Sequence, residues 1–547
     1  MAACCVLLGT AALRAEDWPQ WGGQMGRNMA SAEKHLPPSF VPGEKRDNAV
    51  DPATAKNVKW AVAIGSNNCT TPAVAEGKVV IGGVKGGQGL VLCFDQATGK
   101  LDWQLAVPMR SLPEKIDGRK YWYRVLPPSL GICSSPAIQD GRVYLVTQRC
   151  EVVCLDLAGL ANGNDGPFQD EKSYCSPPDK DPGQGKLPGG DVIWMFDMYG
   201  RLGVRPSDAC NCSVLILGDF VYVCTSNGID RDADARMKDE FRKPPAPKAP
   251  TLIVLDKKTG ELLAADDEKR IIQNTLHGQW SSPSAGRVGD KTLVFLGGGD
   301  GVCYAWEALA SRPAAAARRA ERQASRPSSA PAIEKAPARL KLAWSFDCNP
   351  PEYKQFGGMD LIKHYCVGDR RRSDTINKPN DGSFVGMSEI IATPAFHEGR
   401  VYVAIGRDPE HGRGRGALWC IQASQTGDIT QSGRVWCYQG LDRSLSTVSI
   451  ADGLLYAADV AGRVHCLDAA TGKPLWVYET NAQVWGSTLA ADGKVYLPTK
   501  KGLFILAAGQ EKKLLGQVDL GAPMWASPVA ANGVLYVAST RYLWAVK

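Results

Sequence analysis

Apolar and polar positions alternate with a period of two in short runs from about residue 58 to the C-terminus. The runs come in pairs split by two turn residues, as in Ala137-Ile138-Gln139-Asp140-Gly141-Arg142-Val143-Tyr144, Ala395-Phe396-His397-Glu398-Gly399-Arg400-Val401-Tyr402 and Val529-Ala530-Ala531-Asn532-Gly533-Val534-Leu535-Tyr536. Asp-Gly and Asn-Gly between such runs predict tight hairpins, because the turn needs positive φ that Gly and Asn adopt cheaply. A second signature follows each hairpin. Its clearest copy is Leu467-Asp468-Ala469-Ala470-Thr471-Gly472-Lys473-Pro474-Leu475-Trp476, echoed by Phe94-Asp95-Gln96-Ala97-Thr98-Gly99-Lys100-Leu101-Asp102-Trp103 and Leu255-Asp256-Lys257-Lys258-Thr259-Gly260-Glu261-Leu262. A degenerate copy surrounds Cys154-Leu155-Asp156. Hairpin and signature together make one unit of four short antiparallel strands. One such sheet cannot bury both faces, so the units must stack, and radial stacking gives a β-propeller.

Hairpins are expected at Glu76-Gly77, Asp140-Gly141, Gly218-Asp219, Gly289-Asp290, Glu398-Gly399, Asp452-Gly453, Asp492-Gly493 and Asn532-Gly533. The fold class is therefore all-β, an eight-bladed propeller of four-stranded antiparallel blades. The last unit has room for three strands, ending in Arg541-Tyr542-Leu543-Trp544-Ala545-Val546-Lys547. Asn57-Val58-Lys59-Trp60-Ala61-Val62-Ala63-Ile64 reads as the end of a repeat without a beginning; pairing the two closes the ring and removes an exposed edge. Trp60, Trp103, Trp194, Trp344, Trp436 and Trp476 recur on outer strands and are expected to pack blade against blade.

Composition refines this picture in a few places. The chain has 547 residues, 44% of them hydrophobic, enough for one large closed unit. The net charge of +6 comes from 63 basic and 57 acidic residues, a balance that does not imply nucleic acid. Beyond the first residues no run approaches a membrane-spanning helix. Met1 to Leu13 is apolar and Arg14-Ala15-Glu16 follows, so residues 1–15 read as a secretory signal without its basic start, and Asp17-Trp18-Pro19-Gln20-Trp21 as a mature exported start in the periplasm or cell envelope. Removal of Cys4 and Cys5 from the 17 cysteines leaves an odd number. Cys93, Cys154, Cys303, Cys420 and Cys466 share one repeat position and read as small buried hydrophobes. Pairing among others, such as Cys150, Cys175, Cys348 and Cys366, stays open.

Residues 16–47 form an irregular N-terminal extension, expected to lie across the ring surface. Residues 48–547 form the propeller, interrupted near 158–190, 231–250, 307–341 and 349–387, where connections tolerate insertion. The third interruption is of low complexity, with Ala314-Ala315-Ala316-Ala317-Arg318-Arg319 and several prolines.

Asp468, Thr471, Gly472 and Trp476, and Asp95, Thr98, Gly99 and Trp103, make the chain resemble the pyrroloquinoline-quinone-like (quinoprotein-type) β-propeller repeat family. Asp256, Thr259 and Gly260 match without the final Trp. The resemblance implies the fold over residues 48–547 and leaves activity open, since the family spans quinoprotein dehydrogenases and non-catalytic BamB-like members. In the dehydrogenases the quinone is sandwiched between a Trp and a disulfide of adjacent cysteines, beside calcium and a catalytic Asp. Past Cys4-Cys5 no Cys-Cys pair occurs, Cys210-Asn211-Cys212 being the nearest departure, and there is no haem-attachment Cys-x-x-Cys-His. The chain is thus closest in character to the BamB-like members, with no cofactor assigned; PQQ with calcium belongs to the alternative reading.

Aligning the blades on the eighth residue before each hairpin glycine brings Cys69, Cys133, Ile391, Leu445, Trp485 and Trp525 to one register, with Asn211 and Trp280 nearest to it in the two irregular blades. Cys69, Cys133, Asn211, Trp280, Trp485 and Trp525 are the expected ligand-binding ring at the axial funnel, where tryptophans either stack a flat ligand or plug the channel. The cysteines there could form a disulfide or hold a soft metal, although no metal site is assigned. Loop candidates are His277 and, on Gly406-Arg407-Asp408-Pro409-Glu410-His411-Gly412, the acid/base trio Asp408, Glu410 and His411, set against an ordinary interblade turn. Asp230-Arg231-Asp232-Ala233-Asp234 lacks the Gly and Glu of a calcium loop, and Arg370-Arg371-Arg372 reads as a solvated run. No catalytic residue is assigned. The expected function is that of an exported, non-catalytic binding or scaffold module for a protein or cell-envelope ligand, the alternative being a PQQ-dependent dehydrogenase with an atypical quinone site.

Overall fold

The computed structural model describes residues 16–46, 49–110, 130–176, 189–207, 209–229, 244–314, 333–356, 359–360, 387–407 and 416–547. These build eight antiparallel four-stranded blades around one axis. Their innermost strands, from blade 1 to blade 8, are Ala73–Ala75, Ala137–Gln139, Leu215–Leu217, Ser284–Val288, Ala395–His397, Ser449–Ala451, Leu489–Ala491 and Val529–Ala531. The outermost strand of blade 8 is Val58–Ala63, which pairs antiparallel with Tyr542–Val546 and closes the ring. No helix among the described residues is long and apolar enough to cross a membrane.

All eight expected hairpins turn where the sequence places them. In six of them both turn residues have positive φ, for example Asp452 at 51° and Gly453 at 74°, as a type I′ turn requires. Gly218 and Gly289 come first in the other two, with φ of 62° and 61°. Because strands alternate in direction, these hairpins and the Asp-Thr-Gly turns share one face of the ring. The blade-to-blade crossovers occupy the opposite face.

The Asp-Thr-Gly turn works as a latch between blades. Asp468 Oδ1 accepts the Thr471 backbone N–H at 2.8 Å and its hydroxyl at 2.7 Å, and Asp95 and Asp256 repeat the arrangement. These bonds, led by the threonine hydroxyl, hold Asp468 and Asp95 below the usual carboxylate range. The glycine then offers a flat surface to the preceding blade: a Cβ on Gly472 would sit 2.5 Å from Trp436, and on Gly260 2.4 Å from Trp194. Each outer-strand indole completes the joint by donating to a carbonyl of the next blade, from Trp60 to Gln96 (3.1 Å), Trp103 to Leu157 (2.8 Å), Trp194 to Lys257 (3.2 Å), Trp344 to Ala423 (3.1 Å), Trp436 to Ala469 (3.2 Å) and Trp476 to Gly509 (2.9 Å). The six tryptophans are buried, as are the five cysteines. Cys93, Cys154, Cys420 and Cys466 share one position, each paired with its blade's outer-strand tryptophan, but Cys303 does not: it pairs with Phe346, and Ala305 stands opposite Trp344.

Around the axis runs a belt of hydroxyls. The backbone N–H of Thr71 donates to Ser135 Oγ, Ser135 to Ser213, Ser213 to Ser282, Thr393 to Thr447, Thr447 to Ser487, Ser487 to Ser527, and Ser527 back to Thr71, all at 2.8–3.1 Å. Between blades 4 and 5, Thr393 Oγ1 takes the Trp21 indole N–H. A Ser or Thr that enters the inner strand thus satisfies a buried donor of its neighbour.

The N-terminal segment reaches deeper than a surface strap. It visits the inner edge of every blade in turn, bonding at Val74, Ile138, Ile216, Ala285, Phe396, Ile450, Ala490 and Ala530. Each contact falls on the inward edge of an inner strand, which would otherwise leave its N–H or C=O unpaired. Arg27 is wholly buried there, its guanidinium donating to the carbonyls of Trp21, Pro283 and Val214. Burial, opposed by Cys212, pulls its pKa down to about 9. The segment lies toward the hairpin face, where Asp17 accepts from Glu76, Glu33 from Gly533, and Asp492 from Leu36.

Candidate functional site

Two places before the belt hydroxyls, on the crossover side of the belt, stand Cys69, Cys133, Asn211, Trp280, Ile391, Leu445, Trp485 and Trp525. The belt fixes where these backbones enter, so it sets the spacing of the ring. The side chains then group by neighbours. Trp485 and Trp525, on blades 7 and 8, meet with centroids 5.3 Å apart and planes at 50°. Trp485 is 37% exposed. On blades 1 and 2 Cys69 and Cys133 are neighbours, and their interaction holds Cys69 below the ordinary thiol value and, with burial, Cys133 well above it. No disulfide joins the described cysteines.

Asn211 and Trp280 turn away from a shared pocket. Trp280 is buried, donates its indole N–H to Ser207 O at 3.0 Å, and takes His277 edge-on with centroids 4.5 Å apart. His277 is itself buried, so it packs beneath the mouth and does not line it. Asn211 is half-buried, and its Oδ1 is buried without a hydrogen-bond partner among the described residues. Cys212 Sγ accepts the Cys224 backbone N–H at 3.2 Å, while Cys150 and burial push the Cys210 thiol well above its ordinary value, so the cysteines flanking Asn211 have different neighbours. Asp408, Glu410 and His411 lie outside the described residues, as do Asp230 to Asp234 and Arg370 to Arg372.

A polar depression of about 490 Å³ is lined by residues that include Asp442, Arg443, Arg463, Glu479, Asn481 and Gln483, the last of these two residues before Trp485 in the chain. Beneath it a buried network runs from Tyr438 through His465 to Asp459. Tyr438 Oη lies 3.1 Å from His465 Nδ1, and His465 Nε2 3.1 Å from Asp459 Oδ2. Arg463 adds a 2.9 Å bond from Nε to the same Asp459 oxygen and pairs with Asp442. Burial pushes Asp459 up, but the His465 bond and the Arg463 charge win and hold it low. Sequence reasoning missed this network. Its signal is His465 at an inward strand position flanked by Val464 and Cys466, where the repeat otherwise carries an apolar residue.

The described mouth does not fit the quinone platform. The neighbouring thiols stand on different blades, the two indoles tilt against each other instead of offering one flat face, and no carboxylate occupies the ring positions. No quinone chemistry is therefore derived from these residues.

The family model described as "Outer membrane protein assembly factor BamB" matches residues 39–159 and 429–514. No curated protein matches the chain. Among solved structures, a quinohemoprotein alcohol dehydrogenase from Comamonas testosteroni is 12% identical with a TM-score of 0.55, covering 98% of this chain and 81% of that one. A europium-containing methanol dehydrogenase is 9% identical with a TM-score of 0.53, covering 96% and 90%. BamB from Moraxella catarrhalis is 12% identical with a TM-score of 0.49, covering 89% and 99%. At these identities the two dehydrogenases show the shared propeller fold and nothing of activity.

Proposed function

Starting from a chain that belongs to the PQQ-like β-propeller family, we propose that it is an exported, non-catalytic module that holds a protein or cell-envelope ligand at the crossover face. The observation that carries this reading is the asymmetry of the two mouths. The N-terminal segment binds the inner strands toward the hairpin face and seats Arg27 among them, whereas the paired Trp485 and Trp525 and the charged depression belong to the crossover side. The exposed Trp485 and its half-buried partner Trp525 have the make-up of a recognition surface, since aromatics bring large contact area at small entropic cost. The matched model's description as an outer-membrane assembly factor agrees with a place in the envelope.

The test is affinity capture from envelope extracts with the wild-type chain and a Trp485→Ala/Trp525→Ala variant of unchanged thermal stability. A species retained by the first and lost with the second supports the reading; identical capture by both overturns it. The propeller fold shared with quinoprotein dehydrogenases leaves the dehydrogenase as a competitor, and titration with PQQ and calcium decides it. A saturable absorbance change coupled to dye-linked alcohol oxidation would replace the binding module by an enzyme.

A further inference from the structure

Blade 2 departs from the latch. Asp156 ends the strand Glu151–Asp156 where Asp95, Asp256 and Asp468 end theirs, but no Thr-Gly follows it. Its Oδ1 accepts instead from Ala158 N at 2.7 Å, and its Oδ2 pairs with Arg142. The chain leaves on an insertion and returns at Asp191, next to the outer strand Val192–Asp197. Departure and return are stitched by Asp156 N donating to Asp191 O at 2.9 Å.

At that junction one carboxylate oxygen from each of Asp156, Asp165 and Asp191 lies within 4.8 Å of the others. Asp165 is open to solvent, whereas Asp156 is buried and Asp191 is 0% exposed. Asp191 Oδ2 accepts from Asp165 N at 2.9 Å, but its buried Oδ1 has no hydrogen-bond partner among the described residues. A buried carboxylate oxygen without a donor is costly, and more so beside two further carboxylates. Glu171, also buried, adds a fourth acid by accepting from Val192 N at 3.3 Å and from Asn164 at 2.9 Å. Arg142 offsets a single charge of this group.

We propose that Asp156, Asp165 and Asp191 bind a calcium ion that ties both ends of the blade 2 insertion to the hairpin face. The donors are all oxygen, which selects a hard cation over zinc or copper. Their mixture of buried and solvent-open carboxylates suits calcium's irregular coordination, completed by water, better than magnesium's strict octahedron. The ion takes the part that threonine plays in the ordinary latch: it supplies the partner that Asp191 Oδ1 lacks and fixes the turn.

The experiment uses the full chain, stripped with chelator and titrated with calcium by calorimetry, and with terbium by luminescence through tryptophan. Trp103 packs against Gly159 and Gly189 and is the sensitising ring. One site per chain is expected, with Asp165→Asn weakening it by about tenfold or more, since even partners beyond the ligands cost that much. Asp165 is exposed, so its variant folds whether or not Asp191→Asn does. Asp468→Asn, in an ordinary latch, leaves affinity unchanged. Absence of stoichiometric calcium binding, affinity untouched by Asp165→Asn, or preference for zinc would overturn the site.

Discussion

Gly472→Ala and Gly453→Ala separate the backbone cost of a turn glycine from its role in the interblade latch. The two positions lie in the same blade and have φ of 72° and 74°. Alanine in the left-handed region costs about 1–2 kcal/mol at either one. A Cβ at Gly453 meets nothing within 4 Å, whereas one at Gly472 would stand 2.5 Å from Trp436 Cδ2. Either the indole or the turn must move, and overpacking of that kind adds about 1–3 kcal/mol. Moving the indole also strains its bond to Ala469 O and its contact with Tyr402. Gly453→Ala should therefore lower stability by about 1–2 kcal/mol and Gly472→Ala by about 2–5 kcal/mol. Urea unfolding followed by tryptophan fluorescence and far-ultraviolet circular dichroism reads both, with coincident transitions required before the midpoints are compared. Equal destabilisation by the two substitutions would refute the latch.

Ser527→Ala removes the acceptor of the Ser487 N–H, which is 2.8 Å away in the buried belt, and should cost about 1–3 kcal/mol in the same assay, against no change for the exposed Ser424→Ala. Asp300 gives a pH test: burial raises its carboxyl to about 7 from 3.8, against the pull of hydrogen bonds from Tyr304 and Val302. The native chain thus keeps a proton there that the unfolded chain sheds, so stability falls as pH rises from about 4 to 7. Asp300→Asn should flatten that slope, leaving the part due to Asp266, which is raised to about 6 chiefly by burial. Parallel slopes for wild type and variant would contradict the assignment.

The ring was legible because its determinants are local. Turn chemistry marks each hairpin, and Asp468, Thr471, Gly472 and Trp476 carry a side-chain pattern that repeats. The N-terminal segment carries none, since it binds the blades largely through backbone groups, one contact per blade, and such contacts demand no periodicity. Counting from the same hairpin glycines brings Cys69 and Trp525 to one register before the belt hydroxyls. What the count could not supply is the direction of each side chain: Trp280 turns inward to Ser207 while Trp485 stays open. The carboxylates of blade 2 were hidden by distance along the chain. Asp191 reaches Asp156 only after the insertion folds back, and the trace left in the sequence is an aspartate that keeps its place after losing its threonine.

The most direct test of the binding reading is hydrogen exchange of the chain alone and with its captured envelope ligand. Protection is predicted at residues 481–486 and 521–526, around Trp485 and Trp525, with the hairpins at Gly77, Gly453 and Gly493 unchanged. Protection confined to those hairpins and the N-terminal segment would place the ligand on the sealed face and contradict the account.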